Sequence, residues 1–181
     1  LLLSNIQDLL AEQTVNKIAA DYYHFSQWLE QNASSNYEFI IIDAPASTSP
    51  ISINAMLAAD LIIVPLECEA LAIKSLKRFL QAFKELQKNI EPGLRLAGIL
   101  LTMYDDEILS HQQVCRQIYQ TLGDSVFETI IPNCPYILEA SSMGIDVIQR
   151  HLNSEGATGY IRLANELLDR FLLPKSVEAS L

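Results

Sequence analysis

The chain has 181 residues, half of them apolar, and it carries a formal net charge of −10. No apolar run approaches the roughly 18 residues that a membrane-spanning helix needs, and no secretion signal opens the chain, which argues against the membrane and secreted classes. Three widely spaced cysteines without a C-x-x-C pair indicate a reduced, cytoplasmic protein, and the length predicts one domain over residues 1–181.

The first predicted elements are an amphipathic helix and a buried strand. Apolar side chains recur at three- and four-residue spacings over Leu9–Gln31, which predicts the helix. The run Phe39–Ile42 is β-branched and does not alternate with polar residues, so it predicts a strand over 37–42 of a parallel sheet, buried on both faces. A short helix over Ile53–Ala59 and a second buried strand over 61–65 follow.

Asp43 comes directly after the first predicted strand, where open α/β sheets bind ligands. Turn-forming residues follow it, among them Pro45 and Ser47. A carboxylate at this place can hold Mg²⁺, directly or through water, in an enzyme that handles phosphates. It can equally cap the following loop, and its position alone leaves both interpretations open.

The longer string around Asp43 favours the first interpretation. IIIDAPAS and the following INAMLAADLIIVPLECEALAIKSL resemble the Walker B and switch II region of the ParA/Soj branch of deviant-Walker ATPases, which segregate plasmids and chromosomes. The resemblance implies a P-loop NTPase-like α/β fold, a mostly parallel sheet with helices on both faces, and Mg²⁺ and ATP as cofactors of a complete member. It also implies that Asp43 helps to hold Mg²⁺ and that Pro45 and Ser47 belong to the switch loop.

The opening segment LLLSNIQDLL resembles one that lies in the middle of such domains, which implies that the amino-terminal part of the domain is absent here. The sequence also contains no P-loop, because no pair of its six glycines is followed by Lys-Ser or Lys-Thr. We therefore expect that this chain alone assembles no standard NTPase site. It is either a fragment or split product of a ParA-like ATPase, or a degenerate relative that has lost the chemistry.

A long helix over Ala70–Asn89 carries an unusual concentration of basic residues. At about 100° per residue, five basic side chains fall within an arc of roughly 120° on its outer face. They are Lys74, Lys77, Arg78, Lys84 and Lys88. This stripe is either a solvated face or a contact surface for DNA phosphates or an acidic partner.

A strand over 94–102 follows, and its end, LLTMYD, matches an uncommon string of the same family. Asp106 and Glu107 then continue as an acidic cluster, whereas family members often place basic residues there, so we expect no DNA contact at this loop. A helix over Ile108–Leu122, closed by Gly123, leads to a strand over 126–131.

The segment after this strand resembles the family loop that lies against adenine, which implies nucleotide-binding roles for Pro132, Asn133 and Glu139. Asn133 stands where the family has arginine, and asparagine lacks the charge and the planar fork of that side chain. The last predicted helix spans Ser154–Leu172. The short tail 173–181 has no basic amphipathic character, so no membrane association is expected.

Two hypotheses about function remain. In one, the chain is the carboxyl-terminal part of a cytoplasmic, nucleoid-associated ATPase that dimerises around ATP, positions DNA cargo and responds to a ParB-like partner. In the other, it is a non-catalytic interaction module on the same scaffold. The apolar segment Phe39–Ile42 is expected to pair with a second copy or with the missing segment, because an unpaired strand edge leaves backbone groups unsatisfied. Otherwise the isolated chain is expected to remain partly molten and prone to aggregation.

Overall fold

The computed structural model describes residues 22–33, 37–45, 47 and 49–172. The chain divides into two packed units, Leu1–Ile62 with Gln81–Arg95, and Ile63–Leu80 with Leu96–Leu181. Most of the predicted helix Leu9–Gln31 and the whole tail 173–181 lie outside the described residues. None of the described helices combines the length and the apolar character needed to cross a membrane.

The described chain alternates helices with two strands, in the order expected for an α/β fold. The elements are α1 (His24–Asn32), α2 (Pro50–Leu57), β1 (Ile62–Glu67), α3 (Ala70–Asn89), β2 (Leu96–Thr102), α4 (Leu109–Leu122), α5 (Pro135–Ser142), α6 (Val147–Arg150) and α7 (Glu155–Leu167). A 3₁₀ turn, Gly123–Ser125, follows α4, and a π-helical turn, Leu168–Leu172, follows α7. The strands predicted at 61–65 and 94–102 are therefore present within a few residues, and α3 has the predicted bounds.

The two strands pair in parallel, and the segment after α4 runs along the other side of β2. Val126 and Pro132 form isolated parallel bridges with Ile99 and Tyr104. The N–H groups of Phe127 and Ile131 donate to the carbonyls of Ile99 and Leu101, both at 2.9 Å. β2 is therefore flanked on both sides, as the centre of a parallel sheet is.

The predicted strand over 126–131 is wrong as a continuous strand. Between its two bridged ends, the N–H groups of Glu128 and Thr129 donate to the carboxylate of Glu166, at 2.8 and 2.9 Å. A side chain from the carboxyl-terminal helix thus takes the hydrogen bonds that a neighbouring strand would have taken.

The second unit has an apolar core in which helices pack against the strands. Apolar residues from β1, β2, α3 and α4 meet there, which explains the unbroken apolar runs in the strand sequences. The buried members are Leu66, Cys68, Leu76, Ile99, Leu101, Val114, Cys115, Ile118 and Val126.

The first unit contains α1, α2 and the carboxyl-terminal part of α3. The amide of Asn54, almost fully buried on α2, accepts the N–H of Phe25 at 3.3 Å and donates to the carbonyl of Pro50 at 3.2 Å. Tyr23 Oη donates to the carbonyl of Ile90 at 3.4 Å. Leu29 on α1 and Ala55 on α2 are buried.

The predicted strand over 37–42 is wrong. Residues 37–45 adopt no strand, and Phe39, Ile40 and Ile41 are 54%, 42% and 94% exposed. An extended segment becomes a strand only when a neighbouring backbone accepts its hydrogen bonds, and no other described residue does so here.

Candidate functional site

The loop after Asp43 folds onto the start of α2 through a group of serine hydroxyls. Ser47 donates its N–H to the carbonyl of Pro45 at 2.7 Å, and its hydroxyl lies 2.8 Å from that of Ser52. Ser52, which is 2% exposed, also donates to the Pro45 carbonyl at 2.9 Å. Ser49 caps α2 ahead of Pro50, which is why the helix begins three residues before the predicted start. The predicted switch-loop residues therefore share one hydrogen-bonded turn.

Asp43 is exposed at the start of this loop. Mg²⁺ is usually held by one or two protein carboxylates together with water and substrate phosphates, so a single exposed aspartate fits such an ion. Within the described ranges, no group of three or more His, Cys, Asp or Glu side chains could hold a metal by itself. Asp43 would therefore need water or phosphate oxygens as further ligands to hold Mg²⁺.

In the other unit, the loops at the carboxyl ends of β2 and of segment 126–131 are joined by hydrogen bonds. Tyr104 donates its N–H to the carbonyl of Ile131 at 3.2 Å and accepts the N–H of Asn133 at 2.7 Å. Tyr104 belongs to the family-like string LLTMYD, and Asn133 to the predicted base loop. Two family-like strings that are distant along the chain are thus brought together at the carboxyl edge of the sheet, where α/β folds bind ligands.

The loop 103–107 is also tied to the start of α4. Asp105 donates its N–H to Nδ1 of His111 at 3.1 Å, and its Oδ1 accepts the N–H of Glu107 at 2.9 Å. Desolvation, followed by the nearby Cys115 thiol and the Asp106 carboxylate, raises the pKa of the Tyr104 phenol. Tyr104 is therefore a neutral hydroxyl at physiological pH.

Glu139, the last predicted base-loop residue, lies on α5 close to two basic side chains. Its Oε1 lies 3.3 Å from Nε2 of His151 and 3.6 Å from Nη2 of Arg150. The Tyr136 and His151 rings contact each other with centroids 4.5 Å apart. Sequence analysis missed Tyr136, Arg150 and His151, since no fixed spacing links α5 to residues 150–151. Pro135 at the first helical position was the available signal for α5, and it would have placed Tyr136 and Glu139 on one helix face.

The Gly-x-x-Gly sequence at the start of α7 serves packing. A Cβ at Gly156 would lie 2.6 Å from Cγ1 of Ile137, and one at Gly159 would lie 3.3 Å from Cδ of Pro132. The two glycines let α7 approach the base loop and α5 closely. This helix thereby supports the loop that carries Pro132 and Asn133.

The five predicted contact residues of the basic stripe on α3 are all exposed: Lys74, Lys77, Arg78, Lys84 and Lys88. Glu85, which is also exposed, falls within the same arc and accepts a hydrogen bond from Nδ2 of Asn89 at 3.1 Å. An acidic residue within the stripe reduces its local positive charge.

Comparisons with known proteins identify the family and the fold. The family described as AAA domain matches residues 1–96. The chain is 40% identical over 134 residues to the chromosome-partitioning ATPase Soj of Thermus thermophilus, covering 74% of this chain and 54% of the relative. It is 33% identical over 138 residues to the chromosome partitioning protein ParA of Caulobacter vibrioides, covering 76% and 52%.

A solved structure with a similar fold is cobyrinic acid a,c-diamide synthase from Mycobacterium smegmatis with a bound ATP analogue and magnesium. The two share 27% identity with a TM-score of 0.70, over 87% of this chain and 58% of the synthase. The chain thus spans about half the length of the curated relatives that it matches.

Proposed function

This chain belongs to the AAA-domain family, as a ParA/Soj-like member with the α/β fold of P-loop NTPases, and on that premise we propose that it forms the carboxyl-terminal part of an ATP-handling partitioning domain. In the complete protein this domain binds ATP with Mg²⁺, dimerises and positions chromosomal or plasmid DNA in the cytoplasm. A ParB-like partner would act on it.

One observation carries the proposal. Tyr104 joins the family-like string after β2 to the loop that holds Pro132 and Asn133, with hydrogen bonds of 3.2 and 2.7 Å at the carboxyl edge of the sheet. A ligand at this edge meets both loops as one surface. This contact supports the proposal that two strings distant along the chain act as a single binding element.

The chain's own residues have distinct roles in this proposal. Asp43 would hold the ion, either directly or through water, while the turn of Pro45 and Ser47 keeps the following loop folded on α2. Pro132 and Asn133 would form the edge of the base pocket, together with Glu139 on α5. When bound, Mg²⁺ supplies charge neutralisation for the phosphates.

One feature favours the alternative, a non-catalytic interaction module. Asn133 replaces the arginine expected in the base loop, and its backbone N–H is engaged by Tyr104. An asparagine offers one amide in place of a charged fork, so the base would be held more weakly. A scaffold that has lost this contact could persist as a binding module.

The test compares the chain alone with the longer reading frame. The 181-residue chain should hydrolyse no ATP above background, because its sequence lacks the lysine and the backbone nest that hold the β- and γ-phosphates. If the DNA upstream encodes an in-frame P-loop, the longer protein should hydrolyse ATP with Mg²⁺. Asp43→Asn should then lower its turnover by about 100-fold.

Asp60→Asn is the matched control, since Asp60 is also exposed and follows α2. Turnover that is equal in wild type, Asp43→Asn and Asp60→Asn would overturn the proposed role of Asp43. Turnover by the 181-residue chain that disappears in Asp43→Ala would contradict the predicted inactivity. A start codon with a ribosome site at the first residue, and no upstream P-loop, would favour the interaction module.

A further inference from the structure

His111 forms a hydrogen bond that constrains its protonation state. It lies in the first turn of α4, and its Nδ1 accepts the N–H of Asp105 at 3.1 Å. An imidazole nitrogen accepts a hydrogen bond only through a free lone pair, so this bond is made by the tautomer that carries its proton on Nε2. A second proton, on Nδ1, would replace this acceptor with a donor.

The loop that receives this bond needs to be held in place. Met103 has φ 54°, and it is the one non-glycine residue with a positive φ in the part of the chain that the structure describes. Such a conformation persists where its surroundings fix it. The carboxylate and carbonyl of Asp105 are both used within the loop, by the N–H groups of Glu107 at 2.9 Å and Ile108 at 3.3 Å. The Asp105 N–H is the group that reaches outward to α4.

The loop is anchored on its other side to the base loop. Tyr104, next to Asp105, donates to Ile131 at 3.2 Å and accepts from Asn133 at 2.7 Å. Three successive attachments therefore run from His111 through Asp105 and Tyr104 to Asn133. A shift of the Asp105 backbone would change the orientation of the peptide groups that clamp residues 131–133.

We propose that His111 is a positioning residue that sets the geometry of the base loop through Asp105 and Tyr104, and that its protonation releases this loop. That the released loop contacts a nucleotide base rests on the proposed function. The coupling between His111 and Asn133 stands without it, because it depends only on the hydrogen bonds within this unit.

The groups around His111 define what happens on protonation. The loop next to His111 carries three acidic residues, Asp105, Asp106 and Glu107. The Tyr104 ring lies 6.5 Å from the imidazole ring. Cys115, one turn along α4, and Cys68, after β1, carry buried thiols whose pKa values are raised by desolvation, that of Cys68 to about 12. These thiols are neutral at physiological pH. The effect of protonation is therefore set at Nδ1, where a second proton would face the Asp105 N–H and remove the acceptor that holds the loop.

The test uses backbone amide resonances and hydrogen exchange of the 181-residue chain between about pH 5 and 8. In wild type, the amides of Asp105 and Asn133 should shift together with a single transition that matches the His111 ring resonances. His111→Asn places Oδ1 where Nδ1 lies, and it cannot titrate. This variant should keep both amides protected and should abolish the shared transition.

His111→Leu removes the acceptor, so exchange of the Asp105 and Asn133 amides should accelerate by about tenfold throughout this pH range. His24→Asn, at an exposed position on α1, is the control and should behave as wild type. An unchanged transition in His111→Asn would overturn the proposal. So would full protection of both amides in His111→Leu. If His111→Leu fails to fold, the His111→Asn comparison decides alone.

A second measurement separates this inference from the proposed function. ADP affinity of the longer protein should follow the same pH transition in wild type and lose it in His111→Asn. If ADP does not bind while the amide transition is present, the proposed function fails and the positioning role stands. If ADP binds without any pH transition in the two amides, the positioning role fails.

Discussion

At the scale of single residues, the Glu166 carboxylate makes both hydrogen bonds and an ion pair. It accepts two backbone N–H groups at 2.8 and 2.9 Å and pairs with Nη2 of Arg170 at 2.6 Å. Desolvation acts to raise its pKa, but hydrogen bonds from Thr129 and Glu128 and the charge of Arg170 outweigh it, so the pKa is lowered. The Arg170 guanidinium also lies 5.3 Å from the centre of the Phe127 ring.

We expect Glu166→Gln to lower the free energy of unfolding at neutral pH by about 1–3 kcal/mol, since an amide replaces a charged acceptor of two N–H groups. Because the folded pKa lies below the ordinary value of 4.5, this stabilisation is fully present above that value and is lost as the pH falls through the folded pKa. The difference in unfolding free energy between the two proteins, measured by urea unfolding, should therefore be larger at about pH 7 than at about pH 3.

Glu128→Gln is the matched control. The Glu128 side chain is 91% exposed and lies 3.8 Å from Arg170, so its removal should change the unfolding free energy by less than about 0.5 kcal/mol. Equal effects of the two substitutions would mean that the Glu166 carboxylate does not hold segment 126–131.

At the scale of elements, the packing of α7 against the base loop depends on its glycines. Gly156→Ala would place a Cβ 2.6 Å from Ile137 Cγ1, so we expect a loss of about 1–3 kcal/mol of stability from overpacking. Gly159→Ala meets its nearest atom at 3.3 Å and gains about 0.5–1 kcal/mol of helix propensity, so its net effect should be near zero. Thermal unfolding of both variants measures the difference. Equal destabilisation would contradict this account of the close approach.

The elements also show what sequence could predict. Helix α3 was predicted with its observed bounds because its apolar residues keep one period over twenty positions. The prediction of a continuous strand over 126–131 is wrong because the Glu166 carboxylate accepts the backbone N–H groups in the middle of this segment. Glu166 lies 38 residues beyond Glu128, and no local sequence pattern indicates such a distant partner. For the candidate site, Pro132 and Asn133 are predicted from family-like strings, and their role in binding stays a prediction. The roles of His111 and His151 depend on contacts that arise only after folding.

The exposed segment Phe39–Ile42 leads to a prediction about association. Ile41 is 94% exposed within an apolar run that pairs with no other described residue. Exposed, unpaired β-branched segments promote intermolecular pairing. Ile41→Lys should therefore reduce self-association of the 181-residue chain in sedimentation velocity. Leu71→Lys, at a position 79% exposed on α3, is the control and should have little effect. A compact wild-type monomer with strongly protected amides over 39–42 would overturn the prediction.

At the scale of the whole molecule, charge limits binding to nucleic acid. A net charge of −10 repels a polyanion, so any DNA contact must come from the basic stripe on α3 and must weaken steeply with salt. We expect weak or no binding by this chain alone in fluorescence anisotropy with duplex DNA. Replacing Lys74, Lys77 and Arg78 by alanine should remove what binding remains. Salt-insensitive affinity below about 1 µM would contradict this prediction.

The three buried thiols can report the rates at which different parts of the folded chain open. Cys68 and Cys115 face each other at 3.5 Å in the core of the sheet, whereas Cys134 lies beside Gly156 under α7. All three are buried, so an alkylating reagent reaches them only when the surrounding structure opens. Mass spectrometry of timed labelling would therefore report two opening rates from one unmodified chain. Faster labelling of Cys134 would show that α5 and α7 separate from the base loop while the sheet remains closed.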